Sequence, residues 1–343
     1  MLTVGIDAHD RLYAMCILDA NGRVFKEHVV RGGVDEVAAW LKGLGQPVRV
    51  CYEASLGYGL LYDRLRPVAV EVKVAHPSHL RAIWKSKRKN DRIDARALAT
   101  LMYLDRLPEI HVPSRDVREW RVLIEHRTRL VHKRTAAKNG LRALLRSQGI
   151  QALRGCRLWS KKGQAWAQEV KFESVLTALR RDQLLAEIAH HNAQIMAVEA
   201  QLDQIAQAHP GVALLRTIPG VGPRTAEAVM AYVDDPHRFS STRQAGSYFG
   251  IVPSLDESGG VKRYGHITRA GPATVRKLLA EAALQAKTKS PKVRAFFERV
   301  KGGRKERNAK AIVATAHYLV RVMVAMLKSG EEWREPSDTR QAA

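Results

Sequence analysis

The sequence predicts an α/β domain at the N-terminus followed by helical units, a mixed α/β plus all-α chain. Three observations carry this. Short strand-like runs alternate with helical periodicity up to about residue 105. Two long helical patterns dominate residues 113 to about 209. Helical spacing then returns around glycine-rich turns after residue 210. A length of 343 residues suits at least two domains.

In the first region Leu2 to Asp7, Leu12 to Leu18 and Val24 to Val30 read as strands, with Asn21-Gly22 a hairpin signal between the last two. Val34, Val37, Ala38 and Leu41 recur at helical spacing. From Pro47 to Glu53, Val48, Val50 and Tyr52 alternate with Arg49, Cys51 and Glu53, the signature of a strand. A helix from Leu56 to Arg66, a strand from Val70 to Ala75 and a helix carrying Ile93, Ala97, Leu98 and Leu101 complete the order βββαβαβα. Three hairpin-linked strands followed by helical crossovers predict a mixed sheet covered by helices over residues 1–110.

Pro113-Ser114 opens a helix that runs to about Arg146, apolar at Val117, Trp120, Leu123, Ile124, Leu130, Leu141 and Leu144 and strongly basic elsewhere, with Arg127 and Arg134 among its cations. Further on, Leu184, Ile188, His191, Ile195, Val198, Leu202 and Ile205 alternate steps of four and three, a heptad seam in which His191 is a register-setting polar residue. Residues 111–209 are therefore expected to form a basic helical or coiled-coil arm. The pattern fits a dimerising coiled coil and an intramolecular hairpin equally well. Residues 210–330 form a third unit with helices near 242–249, 272–287 and 308–328. Residues 331–343 are a polar, loose tail. In this third unit the run IPGVGPRTA has the shape of a helix-hairpin-helix turn. Gly220 and Gly222 permit a tight turn, the next helix N-terminus offers N–H groups to a phosphate, and Arg216 and Arg224 add charge. The segment IVPSLDESGGVKRYGHITRAG reads as a basic loop with Lys262, Arg263 and Arg269.

Charge narrows the function. There are 57 Lys and Arg against 34 Asp and Glu, a formal net charge of +23, which makes nucleic acid the expected partner. Three cysteines without ligand spacing imply neither zinc nor disulfides and suit a reducing cytoplasm. No run of about 18 apolar residues predicts a membrane span. A sugar-kinase type phosphotransferase needs a glycine-rich phosphate loop after the first strand, and Ala8, His9 and Asp10 do not supply one.

Chemistry is carried by four carboxylates. Asp7 ends the first strand, Glu53 ends the fourth, and Asp91 and Asp94 stand i,i+3 on one face of the last helix of the domain. A mixed sheet can place the first and fourth strands side by side with that helix across their ends. Four acids so gathered repel one another unless divalent cations join them. Hard oxygen donors suit Mg²⁺ or Mn²⁺, and two such ions can activate a nucleophile and stabilise a leaving oxygen on a phosphodiester. Lys85, Lys87, Arg88, Lys89 and Arg92, just before and among the acid pair, suit a phosphate backbone beside the metals.

The stretches GIDAHD, CYEAS, KNDRIDARALA, IPGVGPRTA and GIVPSLDESGG together resemble the DEDD-type insertion-sequence transposases, a family that includes Piv-type DNA invertases and recombinases guided by a bridge RNA. The resemblance spans Asp7 to about Lys328, and KNDRIDA is its most specific part. It implies an RNase H-like N-terminal domain similar to the resolvase RuvC, with Asp7, Glu53, Asp91 and Asp94 as its four acids. It also implies a nucleophilic serine at Ser258, element-end and target DNA as substrates, a structured guide RNA, and a dimer or tetramer. Residue chemistry alone does not select Ser258 over Ser240, Ser241, Ser247 or Ser254. Two other classes stay open: a structure-selective nuclease of the resolvase type, using the acids without a serine, and a non-enzymatic nucleic-acid-binding protein.

Overall fold

A computed structural model describes residues 1–55, 57–83, 90–151 and 155–335. The basic residues Lys85, Lys87, Arg88 and Lys89 lie outside the described residues. The chain divides into two compact units, Met1–Arg118 and Glu119–Ala343.

The first unit runs β1 (Leu2–Ala8), β2 (Leu12–Leu18), β3 (Val24–Arg31), α1 (Val34–Lys42), β4 (Val48–Glu53), α2 (Tyr58–Leu65), β5 (Glu71–Ala75), α3 (Pro77–Ile83) and α4 (Asp91–Tyr103). The sheet order is β3-β2-β1-β4-β5. The β1–β2 and β2–β3 pairs are antiparallel, whereas β1–β4 and β4–β5 are parallel. This is the mixed sheet that the hairpins and crossovers predict. The short helix α3 was not anticipated.

Strand alternation sorts the two faces. Val4, Ile6, Val50, Tyr52, Val72 and Val74 form one core with Val37 and Leu41 of α1 and Leu61 and Leu65 of α2. The residues between them point the other way, where α4 covers the sheet. Cys16 there meets Ala95 and Ala99, and Cys51 meets Leu98 and Met102. At Gly5 a Cβ would fall 2.2 Å from the Ala95 carbonyl oxygen and 2.4 Å from the Ala99 nitrogen. Glycine opposite two alanines therefore lets the α4 backbone lie directly on β1. Ile93 was expected on this apolar side but is 37% exposed. It sits about 140° round the helix from Leu98. At the amino end of the parallel strands Arg49 Nε donates to Glu71 at 2.6 Å and Arg49 Nη2 donates to Asp105 at 2.7 Å. Lys73 lies 3.2 Å from the same Glu71. This network joins two strands to the end of α4.

The helix α5 (Arg115–Ser147) continues into the second unit, which adds α6 (Lys161–Glu169), α7 (Val175–Gln207), α8 (Pro210–Arg216), α9 (Pro223–Val233) and α10 (Thr242–Tyr248). It ends with β6 (Pro253–Ser258), β7 (Val261–Ile267), α11 (Ala273–Lys289), α12 (Pro291–Lys301) and α13 (Asn308–Ser329). α5 and α7 pair side by side within the chain. Arg127 contacts Glu199, Arg134 contacts Asn192, and Gly140 faces Leu184, so rising numbers on one helix meet falling numbers on the other. Ile188, Ile195 and Leu202, seven residues apart, are the buried positions of α7. His191 is half-buried and its Nδ1 lies 3.1 Å from Gln194. Helices α6 and α12 were not anticipated.

The segment read as a loop is a β-hairpin. Gly259 and Gly260 have φ of 56° and 80°, the two positive values that a tight two-residue turn requires. Almost every residue of both strands is exposed, so no apolar alternation marked them. Helix α13 is long and apolar enough by length and composition to cross a membrane. In this fold Leu319, Val320, Met323 and Val324 are buried in the helical core with Leu215, Val229 and Leu279.

Candidate metal centre

Register brings the first two acids together. β1 and β4 pair in parallel with Gly5 beside Cys51 and Ile6 beside Tyr52, so Asp7 and Glu53 are next along the same register. Both share the face of Gly5 and Cys51, the face that α4 covers. The Asn90 side chain accepts from the Arg92 backbone N–H and caps α4, starting the helix at Asp91. Asp91 and Asp94 then lie in its first turn, over the strand ends.

The electrostatics report the convergence. The Asp7 carboxyl is pushed above its ordinary value, first by burial and then by the charges of Asp91, Asp94 and Glu53, while His9 opposes the rise. The other three acids thus each act on Asp7. Among the described residues no Lys or Arg pairs with any of them. Among the described residues the basic group that pairs with them is His9, whose Nε2 lies 3.4 Å from Asp7 and 3.7 Å from Asp91. Oxygen donors that raise the Asp7 carboxyl, with no lysine or arginine paired to them among the described residues, fit a divalent cation. His9 was not marked as a site residue in the sequence. A lone histidine after a strand gives no signal; only the turn into β2 brings it back over the acids.

The other candidate residues lie in the second unit. Ser258 closes β6 at the exposed tip of the hairpin, paired with Val261 across the Gly259-Gly260 turn. It shares a face with Asp256 and Arg263, while Lys262 lies on the other face, 3.6 Å from Glu257. Gly220, at φ 94°, packs so tightly that a Cβ would meet the Ala286 nitrogen at 2.4 Å, whereas a Cβ on Gly222 would meet open space. Gly222 caps α9 beside a groove of about 510 Å³ that Lys289 also lines. Arg224 is bonded to Asp203 and to the buried Glu227, whose pKa burial pushes up to about 7. Arg127 and Arg134 are turned into the α5–α7 pair. Arg129, Lys133, Arg142 and Arg146 of α5 remain exposed.

Comparison with known proteins gives the family. A transposase family model of the DEDD type found in IS110 elements matches residues 4–149, which include all four acids. The model described as Transposase IS116/IS110/IS902 family matches residues 212–298, which include Ser258. The chain belongs to the DEDD-type insertion-sequence transposases. Relatives in this transposase family include the transposase for insertion sequence element IS1111A of Coxiella burnetii. It is 27% identical over 288 residues, 82% of this chain and 76% of that protein. The transposase for insertion sequence element IS1328 of Yersinia enterocolitica is 27% identical over 241 residues, 69% of this chain and 70% of its own length. Among solved structures, Thermus thermophilus RuvC aligns over 32% of this chain and all of its own, at 15% identity and a TM-score of 0.25.

Proposed function

We propose that this transposase-family chain cuts and rejoins DNA strands to mobilise an insertion sequence, with Asp7, Glu53, Asp91 and Asp94 holding divalent metal and Ser258 as nucleophile. The observation that carries the reading is the convergence of four acids from three stretches of chain with no Lys or Arg among the described residues to neutralise them. Two Mg²⁺ or Mn²⁺ ions there would draw charge off the scissile phosphate and its leaving oxygen. The chain's own contribution is position. Strand register fixes Asp7 and Glu53, and the cap at Asn90 fixes Asp91 and Asp94.

Ser258 is supported by its place in the matched family segment and by its exposure on a projecting ribbon. Its Oγ attacks phosphorus, the bond to one DNA oxygen breaks, and that oxygen leaves as a hydroxyl. A hydroxyl of another strand then reverses the step, so the phosphodiester is rebuilt and the serine released. DNA ends and target are the substrates. A structured RNA is the proposed guide, and the exposed basic residues of α5 suit either polyanion. A homodimer or homotetramer is the proposed assembly.

The test is to purify the full chain with its bound nucleic acid, sequence that material, and assay Mg²⁺-dependent cleavage of DNA carrying the element ends. Asp94→Ala and Ser258→Ala are each expected to lower cutting by more than about a hundredfold with the fold intact. Cleavage retained by Ser258→Ala but lost by Asp94→Ala would replace this reading with a resolvase-type nuclease. Undiminished cutting by Asp94→Ala would overturn the metal site.

A further inference from the structure

The acids are not the only donors at the carboxyl end of β1. The chain turns sharply after Ala8, and the His9 backbone N–H donates to the Leu12 carbonyl at 2.9 Å. That turn holds the imidazole over the strand end. Its Nε2 lies 3.4 Å from Asp7 Oδ2 and 3.7 Å from Asp91 Oδ1, and one ligand atom from each of the three residues lies within 4.8 Å of the others.

These separations discriminate between two roles. A charge-assisted hydrogen bond from imidazole to carboxylate closes to about 2.7–2.9 Å. Both contacts are longer. Ligand atoms each about 2.1 Å from one ion lie roughly 3.0 to 4.2 Å apart, according to the angle they subtend. Both distances fall in that range. An exposed histidine seeking an ion pair would swing onto one acid, whereas this one stands between a strand residue and a helix residue.

From this geometry we infer that His9 is a metal ligand, giving the cation held by Asp7 and Asp91 a mixed nitrogen and oxygen site that favours Mn²⁺ over Mg²⁺. The inference rests on the carboxylate metal site proposed above. Mg²⁺ demands hard oxygen and keeps its waters, while first-row transition ions accept imidazole readily.

The test uses Mn²⁺ as a paramagnetic probe on the full chain, read by pulsed electron spin resonance and by binding titration. Wild type is expected to show ¹⁴N coupling from a directly bound imidazole. His9→Ala and His9→Gln should lose that coupling and melt like wild type. Mn²⁺ affinity should fall at least about tenfold in His9→Ala. Mg²⁺ affinity should stay within about threefold, since hard oxygen ligands carry it. Mn²⁺ bound without nitrogen coupling in wild type would overturn the role of His9 and leave the carboxylate site standing. Coupling that persists in His9→Ala would assign the nitrogen elsewhere and overturn it too. Failure of Mn²⁺ to bind at all would overturn both readings.

Discussion

Acidic side chains gather at both ends of the same sheet face, and the two ends are built in opposite ways. At the amino end of the parallel strands, Glu71 and Asp105 are tied to Arg49, and Glu71 also to Lys73. Burial works against the Glu71 charge, but the bonds from Arg49 and Lys73 hold its carboxyl below the ordinary value. The hydrogen bond from Arg49 does the same for Asp105. At the carboxyl end Asp7 is shifted upward, by burial and by three neighbouring acids. One end is balanced from within. The other, among the described residues, has a single histidine against four carboxylates. Among the described residues the carboxyl end does not repeat the Arg49 arrangement, and the proposed metal site rests on that difference.

Four substitutions break or sharpen that contrast. Gly5→Ala has the largest expected effect, because its Cβ would strike the backbone of α4. Lifting the helix should cost about 3 kcal/mol and misplace Asp91 and Asp94 together. Denaturant melts and metal titration on the same variant would show both losses. Arg49→Ala should lower stability, since it takes the donor from Asp105 and one of two from Glu71, yet leave metal affinity unchanged. Equal loss of metal binding there would erase the distinction between the ends.

The smallest effect is in pH dependence, where the two ends carry opposite signs. A carboxyl raised in the fold, as at Asp7, stabilises when protonated. Its contribution is full below the ordinary carboxylate range and is lost as pH rises through the raised value. Metal-free protein should therefore gain stability at pH 7 from Asp7→Asn. A lowered carboxyl such as Glu71 stabilises above the ordinary range and loses that contribution as pH falls through its lowered value, so Glu71→Gln should destabilise at pH 7 and progressively less as the medium is made acid. Thermal melts across pH 3–8 check both signs.

Much of the carboxylate site was legible in the sequence because strand parity and helix spacing are periodic. Val48, Val50 and Tyr52 alternating with Cys51 and Glu53 already assign Glu53 to a face, and Asp91 and Asp94 assign themselves to one another. What was hidden depends on the fold. Gly5 looked like any strand glycine until α4 lay on it. His9 became part of the site only through the turn into β2. The strands around Ser258 bury neither face, so they carried no alternation to read. The charge of α5 was plain, but not that Arg127 and Arg134 are spent inside the helix pair while Arg129 and Arg142 face out.

The most direct test is calorimetric titration of Mg²⁺ and Mn²⁺ into the metal-free full chain, beside Asp7→Ala and Asp94→Ala variants of unchanged secondary structure. The account predicts saturable binding to wild type, a rise in melting temperature with bound metal, and loss of both in either variant. Wild-type protein that binds neither ion, or variants that bind as wild type does, would contradict it.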